Sequence, residues 1–211
     1  MSVGNTANGK VFIVDDDALV LNALSIVLSR AGYQVTGFAE GASFLAAAKA
    51  HTPACILLDV HMPGQSGLDI LKELNAQQYP APIFIISGSG DIPMAVEAIK
   101  TGAFDFLEKP FDATTVVTRV GEAIEAWSRR AGQINGAETL PKTFQGYDLL
   151  TSRERDVLGQ IAGGSSNKQA GRELGISPRT IEVHRARIME KLGAKNAADL
   201  VRIVLSENRR A

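Results

Sequence analysis

Along the first 130 residues the apolar positions fall into two alternating rhythms. Short apolar, strand-like runs lie at 11–14, 33–38, 55–58, 83–86 and 104–107. Between them, residues 18–30, 42–49, 68–76, 92–100 and 113–129 space their apolar side chains three and four apart, as amphipathic helices do. Five strands alternating with five helices predict right-handed crossovers and a parallel sheet covered on both faces. The pattern is that of a doubly wound α/β domain over residues 9–130.

From 131 to 147 the chain reads AGQINGAETLPKTFQGY, with glycines, a proline and no sustained period, which predicts a linker. Helical spacing resumes at Leu150, where Thr151 and Glu154 stand three apart as a capping box requires. Four helices are predicted at 152–162, 167–174, 178–191 and 197–206, punctuated by Gly163-Gly164, Gly175 and Gly193. Ser177 caps the third of them, and Pro178 fills its first position. Residues 148–211 thus form a second, all-α domain of four helices.

Composition narrows the function classes. Apolar residues at 45% and charged residues at 21% exclude a disordered or fibrous chain. The lone Cys55 excludes an intramolecular disulfide and a cysteine-based zinc finger, and it fits the reducing cytosol. Apolar runs far shorter than the about 20 residues of a spanning helix, and a polar first ten residues, predict a cytoplasmic protein with no membrane partner. The net charge of −1 conceals two unlike halves. Residues 1–130 carry 9 Lys and Arg against 14 Asp and Glu, a balance of −5, whereas residues 131–211 carry 13 against 9, a balance of +4. Different partners are expected for the two, with an anion such as nucleic acid for the second.

In a doubly wound sheet, ligands bind beyond the carboxyl ends of the strands, where the strand order reverses. Asp15, Asp16 and Asp17 follow the first predicted strand, Asp59 the third, Ser87 the fourth and Lys109 the fifth. Carboxylates that converge in one crevice repel each other unless a cation neutralises them, and hard oxygen ligands select Mg²⁺. A carboxylate in such a site can attack phosphorus to form an aspartyl phosphate, while Lys109 and Ser87 bind the charged phosphoryl oxygens. Asp17 and Asp69 are read as turn formers, His61 and His51 as loop residues, and Cys55 as a small buried hydrophobe.

The segments VFIVDDD, LLDVHMPGQSGLDIL, IFIISGSGD and GAFDFLEKPF resemble the receiver domain of bacterial two-component response regulators, closest to the FixJ branch. This resemblance implies a flavodoxin-like sheet of order 2-1-3-4-5. It also implies Asp59 as the phosphoacceptor, and Asp15 and Asp16 as the acidic pair that holds Mg²⁺ together with Asp59 and the backbone carbonyl of His61. Ser87 is then the switch hydroxyl, Lys109 the phosphoryl-binding cation before a cis Pro110, and Phe106 the switch aromatic. Serine and phenylalanine stand where such receivers often carry threonine and tyrosine, so Phe106 signals through ring position and packing alone. Metal-dependent phosphohydrolases also use clustered aspartates and form the rival reading, with the helical part as an accessory domain. Those of the haloacid dehalogenase type, however, place the nucleophile after the first strand in a DxDxT pattern that this chain lacks.

In the basic half, SNKQAGRELGISPRTIEVHRAR puts two helices around a tight turn at Gly175-Ile176-Ser177, which is helix-turn-helix spacing. The longer segment from Leu150 to Val201 resembles the LuxR-type DNA-binding domain, a resemblance that covers residues 149–206. The resemblance implies that Glu182, Val183, Ala186 and Arg187 face the major groove of double-stranded DNA and that Lys168, Arg179 and Thr180 lie near phosphates, with Arg185 a further contact. Lys and Arg supply salt-dependent affinity, Glu182 suits a cytosine amino group and Val183 a thymine methyl. His184 is expected in the core. Ala170-Gly171 departs from the family, which usually has a larger aliphatic residue and then alanine.

Together these resemblances imply a NarL/FixJ-family transcription regulator, not an enzyme. A sensor histidine kinase phosphorylates Asp59, the phosphoryl group is lost by slow self-catalysed hydrolysis, and RNA polymerase is a further partner. Phosphorylation is expected to drive homodimerisation through the fourth helix and fifth strand, including Met94 and Ile99, with the final helix pairing the DNA-binding domains.

Overall fold

The strands stand where the short apolar runs predict them. In a computed structural model describing residues 9–88, 92–133, 144 and 146–206, they are β1 (Lys10–Val14), β2 (Gln34–Phe38), β3 (Cys55–Asp59), β4 (Ile83–Ser87) and β5 (Asp105–Glu108). All pair in parallel, in the order β2-β1-β3-β4-β5. β3 and β4 bury every residue, as strands covered on both faces do, while the edge strand β2 is half-buried. α1 (Ala18–Arg30), α2 (Gly41–Ala50), α3 (Gly67–Glu73), α4 (Ile92–Thr101) and α5 (Ala113–Gln133) make the connections. From β1 the chain runs first to β2 on one side and then to β3 on the other, so a crevice opens at the carboxyl ends of β1 and β3.

The core is aliphatic at the sheet centre and aromatic toward both edges, where Phe12, Phe38 and Phe44 meet edge to face with centroids 5.1–6.3 Å apart and Phe84, Phe104 and Trp127 do so at 5.7–6.0 Å. Full burial of each such side chain contributes about 1.5–3 kcal/mol. Cys55 is completely buried, and burial pushes its thiol well above the ordinary range. Asp17 is the N-cap of α1, accepting from the Leu19 amide at 2.8 Å. Asp69 sits inside the first turn of α3, bonded to the capping Ser66. α3 stops at Glu73, short of the predicted Ala76, because Asn75 adopts a left-handed φ of 50° that ends a helix.

The chain divides into two units, Met1–Trp127 and Ser128–Ala211. The second contains a short 3-10 helix (Tyr147–Leu149), α6 (Ser152–Ala162), α7 (Asn167–Leu174), α8 (Pro178–Leu192) and α9 (Ala197–Ser206). The predicted linker 131–147 overlaps ordered structure at both ends. α5 continues to Gln133, and Phe144 is buried with its ring 5.5 Å from that of Tyr147. Arg155 lies over the Tyr147 ring at 4.1 Å and donates to its carbonyl, so tertiary contacts order a stretch that has no period of its own. Residues 134–143 and 145 lie outside the described residues.

The capping box of Thr151 and Glu154 forms in full, and Ser166 with Gln169 makes a second at α7. Ser177 caps α8 ahead of Pro178, and Gly175 and Gly193 take left-handed φ values of 67° and 64° at the helix ends. Gly171 has another role. A Cβ there would lie 2.6 Å from the Ile176 carbonyl oxygen, and the Gly171 carbonyl itself accepts from the Ile176 amide at 2.9 Å. The departure from alanine thus lets the turn close directly on α7.

Alanine at 171 gains about 1 kcal/mol of helix propensity, but overpacking against a fixed carbonyl costs about 1–3 kcal/mol. Gly171→Ala is therefore expected to lower the melting temperature of the helical unit by several degrees in calorimetry. A rise in melting temperature would show that the turn yields and that propensity decides.

Candidate functional site

The sheet register brings the chemistry together. Asp59 is the last residue of β3 and pairs with Ile86, Ser87 ends β4 opposite Glu108, and Lys109 follows β5. The Lys109 amide donates to the Ser87 carbonyl at 2.7 Å, and a cis peptide joins Lys109 to Pro110. From there the ammonium reaches across the crevice, with Nζ 2.8 Å from Asp59 Oδ1 and 3.0 Å from Asp15 Oδ2. The remaining oxygens accept backbone amides, Asp15 Oδ1 from Asp17 at 2.9 Å and Asp59 Oδ2 from His61 at 2.8 Å.

Asp15 and Asp59 are almost wholly buried, while Asp16 is exposed beside them. Burial raises the Asp59 pKa and the Asp15 charge adds to the rise, against the opposing hydrogen bond and charge of Lys109. For Lys109, burial alone lowers the pKa, but the hydrogen bonds and charges of Asp59 and Asp15 outweigh it and hold the ammonium above its ordinary range.

One oxygen from each of Asp15, Asp16 and Asp59 lies within 4.8 Å of the others. Three carboxylates against one ammonium leave two uncompensated negative charges when all are ionised, which is the charge of one divalent cation. The all-oxygen donor set fits a hard ion. Ser87 is buried at the rim, and Phe106, half-buried on β5, pairs in register with Ile85.

Sequence reasoning passed over Gly67 in this region. Its amide donates to the Val60 carbonyl at 2.9 Å, and a Cβ would lie 2.3 Å from the Asp59 carbonyl oxygen. A side chain there would displace the strand end that carries Asp59. The signal was present as the second glycine of PGQSG, but the need for glycine arises from a close approach that only folding creates.

In the helical unit, Arg179, Glu182, Val183 and Ala186 recur at i, i+3, i+4 and i+7 along the outer face of α8, and all but the half-buried Val183 are exposed. Lys168 is exposed at the start of α7. Two expectations change. Thr180 has no exposed surface and its hydroxyl lies 2.8 Å from that of Ser177, so it closes the turn and has no face for a phosphate. Arg187 is only 19% exposed, with Nε 3.7 Å from the fully buried Glu154, so its guanidinium belongs partly to the interior. Arg185 is half-buried and donates to Asn167 Oδ1 at 2.6 Å, and Asn167 Nδ2 donates to Glu182 Oε1 at 3.2 Å. Nothing in the sequence pattern singled out Asn167.

Residues 11–121 match the response regulator receiver domain, and residues 148–204 match the luxR family of bacterial regulatory proteins. The chain therefore belongs to the two-component response regulators, as a transcription regulator with a LuxR-type DNA-binding domain. Within them it is a FixJ-like member of the NarL/FixJ family. It is 41% identical to the transcriptional regulatory protein FixJ of Bradyrhizobium diazoefficiens over 95% of this chain and 96% of that one. It is 39% identical to the response regulator protein TodT of Pseudomonas putida strain F1, over 92% of this chain and 84% of that one. Full-length FixJ from B. japonicum, known from crystal structures, matches with a TM-score of 0.57 and 39% identity, over 96% of this chain and 98% of that one. Such a regulator has a kinase partner and DNA as its ligand; these matches lend no support to a phosphohydrolase. Among the described residues, no helix is long and apolar enough to cross a membrane.

Beneath α8 lies a buried polar cluster. Glu154 accepts from the Thr151 amide and from Lys191 Nζ, both at 2.7 Å; burial alone would raise its pKa, but Lys191 and Arg187 hold it below the ordinary range. His184, buried in the same region, has neither ring nitrogen hydrogen-bonded, and burial with the Arg153 charge pushes its pKa down to about 3. The folded unit thus holds a neutral imidazole that the unfolded chain protonates near pH 6.5. Stability from this group is complete above that pH and is lost as pH falls toward 3, by about 1.4 kcal/mol per unit.

Denaturant titrations at pH 7 and pH 5 are therefore expected to show a loss of about 2 kcal/mol in the helical unit that His184→Leu largely removes. Keeping to pH 5 and above excludes most of the loss from Glu154, whose window lies lower. An equal pH slope in both proteins would assign the loss to other groups.

Proposed function

We propose that Asp59 accepts a phosphoryl group from the phosphohistidine of a partner sensor kinase and that this switches dimerisation and sequence-specific DNA binding. The observation that carries the reading is the single Lys109 ammonium shared by two buried carboxylates at the strand ends. An Asp59 carboxylate oxygen bonds to phosphorus as the phosphorus–nitrogen bond breaks, and the electron pair returns to the imidazole. The new group adds a charge near −2. Lys109 then pairs with phosphoryl oxygens, and the Ser87 hydroxyl donates to another. Mg²⁺ held by Asp15, Asp16, Asp59 and the His61 carbonyl would offset charge at phosphorus. Water attack on the acyl phosphate slowly restores Asp59 and releases phosphate.

Drawing Ser87 toward the phosphoryl group shifts the end of β4, and Phe106 on the neighbouring β5 moves with it. The surface for dimerisation is smaller than the sequence suggests. Ile99 is only 2% exposed, and Ala95 and Ala98 are also buried, so α4 spends these residues on the receiver core. Pro93 and Glu97 are exposed, with half-buried Met94 and Val96, and form the available patch. On α9, Leu200 and Val204 are buried within the unit, which leaves half-buried Val201 and Ile203 for pairing. In the dimer, the outer face of α8 enters the major groove: Lys168 and Arg179 contact phosphates, Glu182, Val183, Arg185 and Ala186 lie at base edges, and Arg187 stands at the margin. RNA polymerase contact and a cytoplasmic location complete the proposal.

Asp59→Asn is expected to abolish labelling by acetyl phosphate or the phosphorylated kinase, because an amide is not a nucleophile toward phosphorus. Labelling at wild-type extent would place the acceptor elsewhere.

The switch itself is read by sedimentation. With acetyl phosphate the wild-type chain is expected to become dimeric and to bind DNA about 5- to 150-fold more tightly, while Asp59→Asn does neither. A fully phosphorylated protein that sediments as a monomer would rule out dimerisation as the switch.

A further inference from the structure

On the recognition helix α8, Glu182 and Arg185 stand three residues apart with opposite charge, the spacing at which side chains pair directly. An ion pair between them would withdraw both from DNA. Instead, the side-chain amide of Asn167, first residue of α7, stands between them. Its Nδ2 donates to Glu182 Oε1 at 3.2 Å and its Oδ1 accepts from Arg185 Nη1 at 2.6 Å. The polarity of this arrangement is forced. Reversing the amide would set its NH₂ against the guanidinium and its oxygen against the carboxylate, so only one orientation satisfies both. Each charged side chain is fixed by one hydrogen bond, which leaves the second Glu182 oxygen and further Arg185 N–H groups for base edges.

We infer that Asn167 is a positioning residue for base readout: it holds Glu182 and Arg185 apart in the rotamers that read sequence, and so sets specificity at the base pairs they contact. The inference rests on the reading of α8 as the groove helix. Asn167 is uncharged, and its loss removes no phosphate-neutralising group. Affinity for DNA of arbitrary sequence and its salt dependence belong to Lys168, Arg179 and their neighbours and stay as they are. What changes is preference among bases, because two long side chains without the bridge regain their rotamer freedom or pair with each other.

The test selects from a pool of random-sequence duplex DNA with the full-length protein and acetyl phosphate, comparing wild type, Asn167→Ala, Asn167→Asp, Glu182→Ala and Arg185→Ala. Base preferences are read by sequencing, and affinities are then measured on the enriched duplex and on permuted ones. Asn167→Ala is expected to lose roughly tenfold in discrimination at the positions where Glu182→Ala and Arg185→Ala lose it, a low-end value for one base contact. Preference elsewhere, salt slope and melting temperature remain as in wild type. Asn167→Asp keeps an acceptor for Arg185 but repels Glu182, so it loses preference at the Glu182 position alone. Wild-type preferences in both Asn167 variants, with losses in Glu182→Ala or Arg185→Ala, overturn the inference and leave the groove reading standing. Unchanged preferences in Glu182→Ala and Arg185→Ala overturn the groove reading and the inference with it. A uniform loss at every position together with a lower melting temperature also overturns it, since that is what a merely structural asparagine would do.

Discussion

Asp15 and Asp59 are buried within reach of each other and share one ammonium, Lys109. Two like charges about 4 Å apart repel by about 4 kcal/mol at an effective dielectric constant near 20, so the pair persists only with a cation between them. The rest of the receiver follows from that constraint. A parallel sheet whose order reverses at β1 and β3 delivers the two carboxylates to one crevice, and the step from β4 to β5 carries Lys109 to its rim. Gly67 lets α3 start against the Asp59 carbonyl without moving the strand end. Every other oxygen of the pair is taken by a backbone amide, which fixes the carboxylates while leaving the charge of the crevice open to change. A phosphoryl group alters that charge by more than any single side chain does, which suits the crevice to act as a switch.

The same rule, that buried charge is paired, organises the helical unit. Glu154 has no exposed surface, and Lys191 together with Arg187 compensates it, joining α6 to the far half of α8. This divides the arginines of α8 by burial. Arg187 is drawn inward toward Glu154, whereas Arg185 is engaged by Asn167 near the surface. His184 stays neutral among these cations, because burial and the Arg153 charge both oppose its protonation. A helix held from beneath in this way presents Arg179, Glu182, Val183 and Ala186 on a fixed outer face.

Most of this architecture was legible in the chain. Short apolar runs and the period-3.6 rhythm depend on which faces of an element are buried, and they located all five strands and nine α-helices of the described residues, with end shifts of a few residues. Helix caps are local chemistry, so Thr151 with Glu154 and Ser177 with Pro178 could be read directly. The strand-end residues Asp15, Asp59, Ser87 and Lys109 were legible because a doubly wound sheet gathers whatever follows its strands. The receiver resemblance then suggested roles for these positions.

Tertiary structure decided what depends on distance between residues remote in sequence. Phe144 and Tyr147 have no periodic neighbours, yet burial of one ring and the Arg155 contact on the other fold them into the second unit. Ile99 looked available on an amphipathic helix, but the receiver core takes it. Thr180 and Arg187 carry the right chemistry for DNA, and burial removes the first and turns the second toward Glu154. Gly67, Gly171 and Asn167 matter through approaches of a few ångströms to Asp59, Ile176, Glu182 and Arg185. Residue type and spacing determine which elements form and which side chains reach the strand ends or the outer helix face. Which of those side chains remains available is settled by packing, because desolvation and hydrogen-bond geometry change over ångströms that no one-dimensional pattern records.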